Sequence, residues 1–198
     1  GAELFVNHRF PLNNSLGPIS KYTKNKKIKI GYFSGDFRNH PVAYLVTELF
    51  EAHDKSKFEL FAFSLSNKIE SDTRVRIEKS FDEFVDAANY SDTEVALLAR
   101  EKEIDIAIDL GGYTKNSRPE IFAMRAAPIQ INYLGYPGTT GTDYIDYNIA
   151  DKFIVPEELQ KYYSEKIIYL PKCYQPNEKK ITLGRKIFSK KSEGLPEN

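Results

Sequence analysis

Cysteine is almost absent from this sequence, since Cys173 stands alone among 198 residues. One thiol excludes an intramolecular disulfide and a zinc site built on several cysteines. A chain without disulfides suits a reducing compartment, so we expect a cytoplasmic protein. The three histidines are scattered along the chain, and we therefore expect no metal site.

Net charge is absent as well, because 28 basic residues balance 28 acidic ones. The protein therefore has no general field that would attract nucleic acid or an anionic membrane, and we expect no nucleic-acid partner. Basic residues gather in segments 21–29 and 185–191, which we interpret as solvated ends of the chain. No apolar run approaches the ~20 residues that cross a bilayer, and no secretion signal opens the chain.

What the sequence does contain is a regular alternation of apolar segments. A hydrophobic fraction of 41% is typical of a globular chain and excludes a disordered one. Helical spacing follows Pro41, and Ser91 with Glu94 forms a capping box at the start of another helix. The pattern predicts strands at 28–34, 58–65, 81–87, 104–110, 129–134, 145–150 and 166–170, and helices at 42–53, 72–79, 91–103 and 117–124.

Strands that alternate with helices at these short spacings indicate β-α-β crossovers. We therefore predict an α/β fold, Rossmann-like, with a mostly parallel, doubly wound sheet and helices on both faces. Segment 1–27, interrupted by Pro11, Gly17 and Pro18, is predicted to be an irregular N-terminal extension. The lobe itself is assigned to 28–171, and 172–198 reads as a linker.

In an open parallel sheet, ligands meet the loops that follow the carboxyl ends of the strands. Three polar loops fall there: loop 1 (34–41), loop 2 (111–118) and loop 3 (135–142). Loop 1 holds Asp36, Asn39 and His40 just before a predicted helix. Since the positive end of a helix favours a neutral imidazole, His40 could be a base or a hydrogen-bond partner. It could equally be a cap that orders the turn, and Asp36 could orient it or cap its own backbone.

The other loops carry weaker signals. The glycines of loop 3 could let backbone approach a phosphate or a sugar, but the chain lacks both the Gly-x-Gly-x-x-Gly fingerprint and a P-loop. Gly111 and Gly112 could form a tight turn and nothing else. Arg118 could pair with a phosphate or only solvate its face. His53 completes an apolar stripe and is interpreted as structural. No Ser/His/Asp trio is apparent, so the residues alone leave the chemistry open.

Three runs carry a more specific signal: GYFSGDFRNHPVAYL, IDIAIDLGGYTKNSRPEIFAMRAAPIQINYLGYPGTTGTDYIDYNIAD and YYSEKIIYLP. From about residue 28 to 171 the chain resembles the protein O-GlcNAc transferase family, which includes the plant SPINDLY proteins. The resemblance implies one lobe of a two-lobed glycosyltransferase B-type fold behind an array of tetratricopeptide repeats. UDP-GlcNAc would be the donor, a protein or peptide Ser or Thr hydroxyl the acceptor, and no metal or other cofactor would be needed.

The resemblance also implies roles for particular residues. His40 matches the active-site histidine of the DFxxHP motif, with Asp36, Asn39 and Pro41 in the same loop. His8, in NHRF, is similar to a second active-site histidine. The sugar side of the cleft would be lined by Tyr113, Leu134, Gly135 and Pro137.

The family pattern leaves alternatives open. Val42 stands where many members have a small polar residue, and SPINDLY-type members use GDP-fucose, so the donor could differ. A non-catalytic α/β interaction module derived from the family is a further possibility. The closing GLPE resembles the stretch that precedes the C-terminal lobe, which would hold most nucleotide contacts. We therefore expect this lobe to depend on that lobe and on the repeat array as partners, and to be inactive alone.

Overall fold

The computed structural model describes residues 1–23, 25–179 and 188–196. Within these ranges one seven-stranded sheet forms, in the order β3-β2-β1-β4-β5-β6-β7, and every neighbouring pair is parallel. The strands are β1 (Ile28–Ser34), β2 (Phe58–Ser64), β3 (Glu83–Asp86), β4 (Ile106–Asp109), β5 (Ile129–Tyr133), β6 (Tyr147–Ala150) and β7 (Lys166–Tyr169). The predicted fold class is confirmed, because each strand lies within its predicted segment.

Among the described residues, five α-helices accompany the strands: α1 (Ala2–Arg9), α2 (Pro41–Glu51), α3 (Asp72–Ser80), α4 (Asp92–Glu101) and α5 (Pro119–Ala123). Short 3-10 turns cover Asn14–Leu16, Glu157–Tyr162 and Lys191–Glu193. The capping box predicted for α4 is present, since the Ser91 side chain accepts from the Glu94 amide and the Glu94 carboxylate accepts from the Ser91 amide.

Successive strand side chains point to opposite faces of the sheet, so both faces present apolar side chains. Helices cover both of these faces. In β1, Tyr32 belongs to one hydrophobic cluster and Phe33 to the other. The Tyr32 cluster takes Val46 and Phe50 from α2 and Ile77 from α3, whereas the Phe33 cluster takes Val95 and Ala99 from α4 and Phe122 from α5.

The strand order shows that the chain runs outward from β1 to β3 and resumes at β4 on the other side of β1. The loops after β1 and β4 diverge there, which is where open α/β sheets bind ligands.

The predicted irregular extension is wrong in one respect, because residues 2–9 form α1. Val6 is its one buried residue and lies in the Phe33 cluster, with Phe10 packed beside it. A single buried position in eight residues produces no apolar period, so the sequence pattern could not reveal this helix. Its first turn lies against loop 3, where a Cβ built on Gly141 would come within 2.6 Å of the Glu3 amide nitrogen.

The predicted linker, 172–198, is described only in part. Outside the described residues lie 180–187, which include 185–187 of the basic segment, and 197–198. The first residues of the linker pack back onto the lobe. The Tyr174 carbonyl accepts from the Tyr133 hydroxyl at 2.7 Å, and the Tyr174 amide donates to Asp151 at 2.8 Å. Glu178 pairs with Arg76 of α3. The start of the segment is therefore fixed to the sheet and to α3.

Candidate functional site

Loop 1 ends in a histidine that caps a helix. His40 is the N-cap of α2, with extended backbone, and Pro41 follows it at the first helical position. The His40 Nδ1 accepts a hydrogen bond from the Val42 amide at 3.3 Å. An imidazole nitrogen that accepts carries no proton, so the neutral ring bears its proton on Nε2. The ring is one-third exposed and in this state offers a donor, not a base.

Asp36 lies between two cationic or potentially cationic groups. Its carboxylate accepts from the Arg38 guanidinium at 2.8 Å and lies 3.6 Å from the His40 Nδ1. The Asp36 side chain is only 9% exposed, and its amide donates to the Ser34 hydroxyl at 3.0 Å. The Val42 amide and the Asp36 carboxylate therefore both lie near the His40 Nδ1.

A buried arginine fixes loop 1 from beneath. Arg74 of α3 is 1% exposed and donates to the Phe37 carbonyl at 3.4 Å and to the Ser64 hydroxyl at 3.0 Å. It also pairs with Glu78 at 2.6 Å and with Asp86, and its guanidinium lies 4.2 Å from the centre of the Phe84 ring. The sequence analysis missed this residue, although an arginine three positions before the buried Ile77, on the same face of α3, is a signal that could have revealed it.

A buried carboxyl group lies at the end of β4, just before loop 2. Asp109 is 6% exposed, and its Oδ1 accepts from the Gly111 amide at 2.8 Å. Burial raises the pKa of Asp109 to about 6, against the opposing effect of the Gly111 and Gly112 amides. It borders a small cavity with Tyr113, Thr142 and Tyr144. The sequence analysis missed Asp109 because it reads as one polar position in the strand IDIAIDL.

Tyr113 joins loop 2 to loop 3 and to α1. Its hydroxyl donates to the Thr140 carbonyl at 2.5 Å, and its ring packs against Phe10, Phe5 and Tyr136 at centroid distances of 6.2, 5.5 and 5.4 Å. Burial raises the pKa of Tyr113 well above its ordinary value, with a further contribution from Glu165. The hydroxyl is therefore a donor at neutral pH and not a base.

Loop 3 approaches the backbone just before loop 2 more closely than any side chain would permit. A Cβ built on Gly135 would lie 2.1 Å from the Leu110 carbonyl oxygen. The preceding Leu134 is buried with a φ of 73°, a left-handed conformation that is uncommon outside glycine. Only glycine at 135 allows the two loops to meet.

A buried glutamate holds the far end of loop 3. Glu165 is 4% exposed and accepts from the Thr140 amide at 2.7 Å, from the Thr139 hydroxyl at 2.8 Å and from the Thr140 hydroxyl. The nearby Tyr163 hydroxyl donates to the Pro137 carbonyl at 2.9 Å. The sequence analysis missed Glu165 because it stands in a polar run whose sequence gives no sign of burial.

The structure unites some of the predicted site residues and separates others. Asp36 and His40 approach each other, and Asn39 and Pro41 are exposed in the same loop. Tyr113 of loop 2 contacts loop 3, which contains Gly135 and Pro137. Leu134, which directly precedes loop 3, is buried. His8 is exposed on α1, and within the described residues no hydrogen bond or ion pair links it to loop 1.

The contacts of Arg118, whose role the sequence left open, and of His53, which it indicated to be structural, are both defined. Arg118 cannot serve as a phosphate partner in this state, because its guanidinium donates to Asp92 at 2.5 Å and to the Ala87 and Tyr90 carbonyls. His53 is structural, as predicted: its ring bonds the Leu49 carbonyl and the Tyr32 hydroxyl, and burial lowers its pKa.

Among the residues that the structure describes, no three His, Cys, Asp or Glu side chains gather in a way that could hold a metal ion. None of the helices in the described ranges is long and apolar enough to span a membrane.

Most of the chain is similar to proteins of one glycosyltransferase family. The model of "Glycosyl transferase family 41" matches residues 6–189. A probable UDP-N-acetylglucosamine–peptide N-acetylglucosaminyltransferase SEC of Arabidopsis thaliana is 41% identical over 163 residues, covering 82% of this chain and 17% of the relative. The corresponding transferase of Caenorhabditis elegans is 37% identical over 75% of this chain and 13% of its own length. A SPINDLY protein of Arabidopsis thaliana is 32% identical over 75% of this chain and 17% of its own length.

Among solved structures, a mutant O-GlcNAc transferase of Thermobaculum terrenum superposes with a TM-score of 0.80 at 28% identity. The superposition covers 88% of this chain and 34% of that one. The chain thus spans about a third of that transferase and less than a fifth of the curated relatives above.

Proposed function

Because the chain belongs to glycosyl transferase family 41, we propose that it is the N-terminal catalytic lobe of an inverting glycosyltransferase that moves GlcNAc from UDP-GlcNAc to Ser or Thr hydroxyls of proteins. The observation that supports this most is the Asp36–His40 pair at the carboxyl edge of the sheet, beside the topological switch point. Similar relatives carry names that state the same donor and a peptide acceptor.

The proposed reaction forms a bond from the acceptor oxygen to the anomeric carbon and breaks the bond from that carbon to the diphosphate. The acceptor proton would pass through water to the Asp36 carboxylate, and the departing diphosphate must be stabilised. The helix cap keeps the proton of neutral His40 on Nε2, so His40 would donate a hydrogen bond to an oxygen of the substrates. Asp36 would also help to position the ring.

The partners of this lobe follow from the same family. UDP-GlcNAc would be bound mainly by a C-terminal lobe, and a tetratricopeptide array would help present the protein acceptor. The lobe itself would need no metal or other cofactor. We also propose a cytoplasmic location, on the basis of the single cysteine.

The test uses the complete protein that contains this chain, with radiolabelled UDP-GlcNAc and an acceptor protein. His40→Asn is the informative variant, because Asn is also a good N-cap yet does not reach as far as the imidazole Nε2. We expect it to preserve the melting temperature and to reduce kcat by at least ~100-fold. His40→Ala should lose both the activity and the cap. Tyr44→Ala, at an exposed position on α2, is the matched control and should leave both unchanged.

Two outcomes would favour the alternatives. Full transfer by His40→Asn would make His40 only a cap, and a retained cellular role of the His40→Ala protein would support a non-catalytic interaction module. The SPINDLY relatives and Val42 motivate a parallel assay with GDP-fucose. Transfer from GDP-fucose but not from UDP-GlcNAc would preserve the reaction class and change the donor.

A further inference from the structure

A polar pocket of about 300 Å³ lies beside loop 1, on the side of β2 and β3. Its lining includes Leu65, Ser66, Asn67, Ala88, Asn116 and Ser117, which follow the carboxyl ends of β2, β3 and β4. We call it the amide pocket. It shares the edge of the sheet with the Asp36–His40 pair, and its Asn116 and Ser117 belong to loop 2.

The amide pocket is fixed to the backbone of loop 1 through Gly35. The Ser66 hydroxyl donates to the Gly35 carbonyl at 2.5 Å. On the other wall, a Cβ built on Gly35 would lie 2.8 Å from the Asn116 Cβ and 3.0 Å from its carbonyl oxygen. Asn116 keeps this close approach with a φ of 66°. Both walls therefore contact Gly35, the residue that precedes Asp36.

The lining presents neutral hydrogen-bonding groups that no other described residue occupies. The side-chain amides of Asn67 and Asn116 and the Ser117 hydroxyl have no hydrogen-bond partner within the described residues, and both amides are exposed. Arg118, which also borders the pocket, has all three guanidinium nitrogens engaged by Asp92, Ala87 and Tyr90. No carboxylate and no aromatic ring lines the pocket.

These features select a class of ligand. Without a free cation or a carboxylate, the amide pocket offers no charge to a phosphate or to a basic side chain. Without aromatic or extensive apolar walls, it is unlike the usual pocket for a small molecule or a sugar ring. A side-chain amide carries one acceptor and two donors, and these match the N–H and C=O of a peptide unit.

We propose that the amide pocket binds the main chain of the acceptor peptide through Asn67 and Asn116, next to the residue that is glycosylated. This inference rests on the proposed function. It assigns to this lobe a share in acceptor binding that depends on backbone and not on side chains, so many acceptor sequences could be accepted.

The direct test is NMR titration of the ¹⁵N-labelled 198-residue chain with the neutral, end-blocked peptide Ac-Ala-Gly-Ala-Ser-Ala-Gly-Ala-NH₂ at millimolar concentration. We expect shifts of the side-chain amide signals of Asn67 and Asn116. The double variant Asn67→Ala, Asn116→Gly should weaken binding at least ~10-fold, which corresponds to ~1.4 kcal/mol. Glycine at 116 tolerates the left-handed backbone, so the variant should retain its fold, which its own spectrum verifies.

Two controls make the result specific. Asn7→Ala removes an exposed amide on α1 and should bind as the unaltered chain does. The same peptide with N-methylated backbone should not bind, because it lacks the N–H donors. Absence of shifts at Asn67 and Asn116, or equal binding of the methylated peptide, would overturn the proposal. Stronger shifts with free N-acetylglucosamine than with the peptide would also overturn it.

Kinetics of the complete protein separate this proposal from the proposed function. The double variant should raise KM for the acceptor ~10-fold and leave KM for UDP-GlcNAc unchanged. Unaltered protein that transfers no sugar would refute the proposed function, whereas normal transfer with an unchanged acceptor KM in the double variant would refute only the peptide site.

Discussion

Replacing Asp109 by Asn should make the protein more stable at neutral pH. Asp109 lies buried at the end of β4, and burial raises its pKa to about 6. The folded chain therefore holds this carboxyl in its protonated form at a pH where the unfolded chain has released the proton. The carboxamide of Asn is neutral at every pH and keeps an oxygen that can accept from the Gly111 amide.

The magnitude follows from the difference in proton affinity. A pKa of about 6 against an ordinary 3.8 corresponds to about 3 kcal/mol, at ~1.36 kcal/mol per pKa unit. Because the folded pKa is raised, the stability from the protonated group is complete below pH 3.8. It falls as the pH rises toward 6 and stays low above that. Asp109→Asn should therefore equal the unaltered protein near pH 3.8 and exceed it by up to about 3 kcal/mol at pH 7.

The assay is urea unfolding followed by circular dichroism at several pH values between these limits, since the chain has no tryptophan. The difference between the two proteins is the measured quantity, which cancels the titration of all other groups. Asp143→Asn, at an exposed position, is the matched control for the chemical change and should alter the free energy of unfolding little. A constant difference for Asp109→Asn, or a lower stability at pH 7, would show that the loop amides satisfy the ionised carboxylate.

Three further substitutions probe the contacts that hold the loops. Glu165→Ala should lower the free energy of unfolding by about 3 kcal/mol, because it leaves the buried Thr140 amide without an acceptor, whereas Glu165→Gln should cost about 1 kcal/mol; equal urea midpoints for the two variants would contradict this. Gly135→Ala should cost about 3 kcal/mol, because its Cβ would overlap the Leu110 carbonyl. Gly138→Ala, which meets only the Tyr136 ring, should lower the melting temperature less, and the reverse order would refute the steric account. Arg74→Lys should cost about 3 kcal/mol, because an ammonium cannot serve Glu78, Asp86, Ser64 and the Phe37 carbonyl together. Slow amide exchange in loop 1 of that variant, unchanged from the unaltered protein, would count against its role in fixing the loop.

The core of the fold could be predicted because it depends on local pattern. Most strands are short apolar runs bounded by polar turns, and helices between strands carry their own caps, such as Ser91 with Glu94. The α1 helix could not be predicted in this way. Its one buried residue, Val6, is stabilised by contacts with residues distant in sequence, and such contacts leave no period in the helix itself.

In the candidate site, too, some features could be predicted from local pattern and others depend on contacts between distant residues. Residue pattern was enough to predict the sheet and the three loops at its carboxyl edge, and the three motif-bearing runs were enough to indicate the family. The three-dimensional contacts were needed to show that the His40 Nδ1 accepts from the Val42 amide, that Arg118 is fully engaged, and that Glu165 and Arg74 hold the loops. Tertiary structure alone also brought Asn67 near Asn116. The physical reason is that hydrogen bonding and burial depend on distances between residues far apart in the chain, which residue type and spacing do not encode.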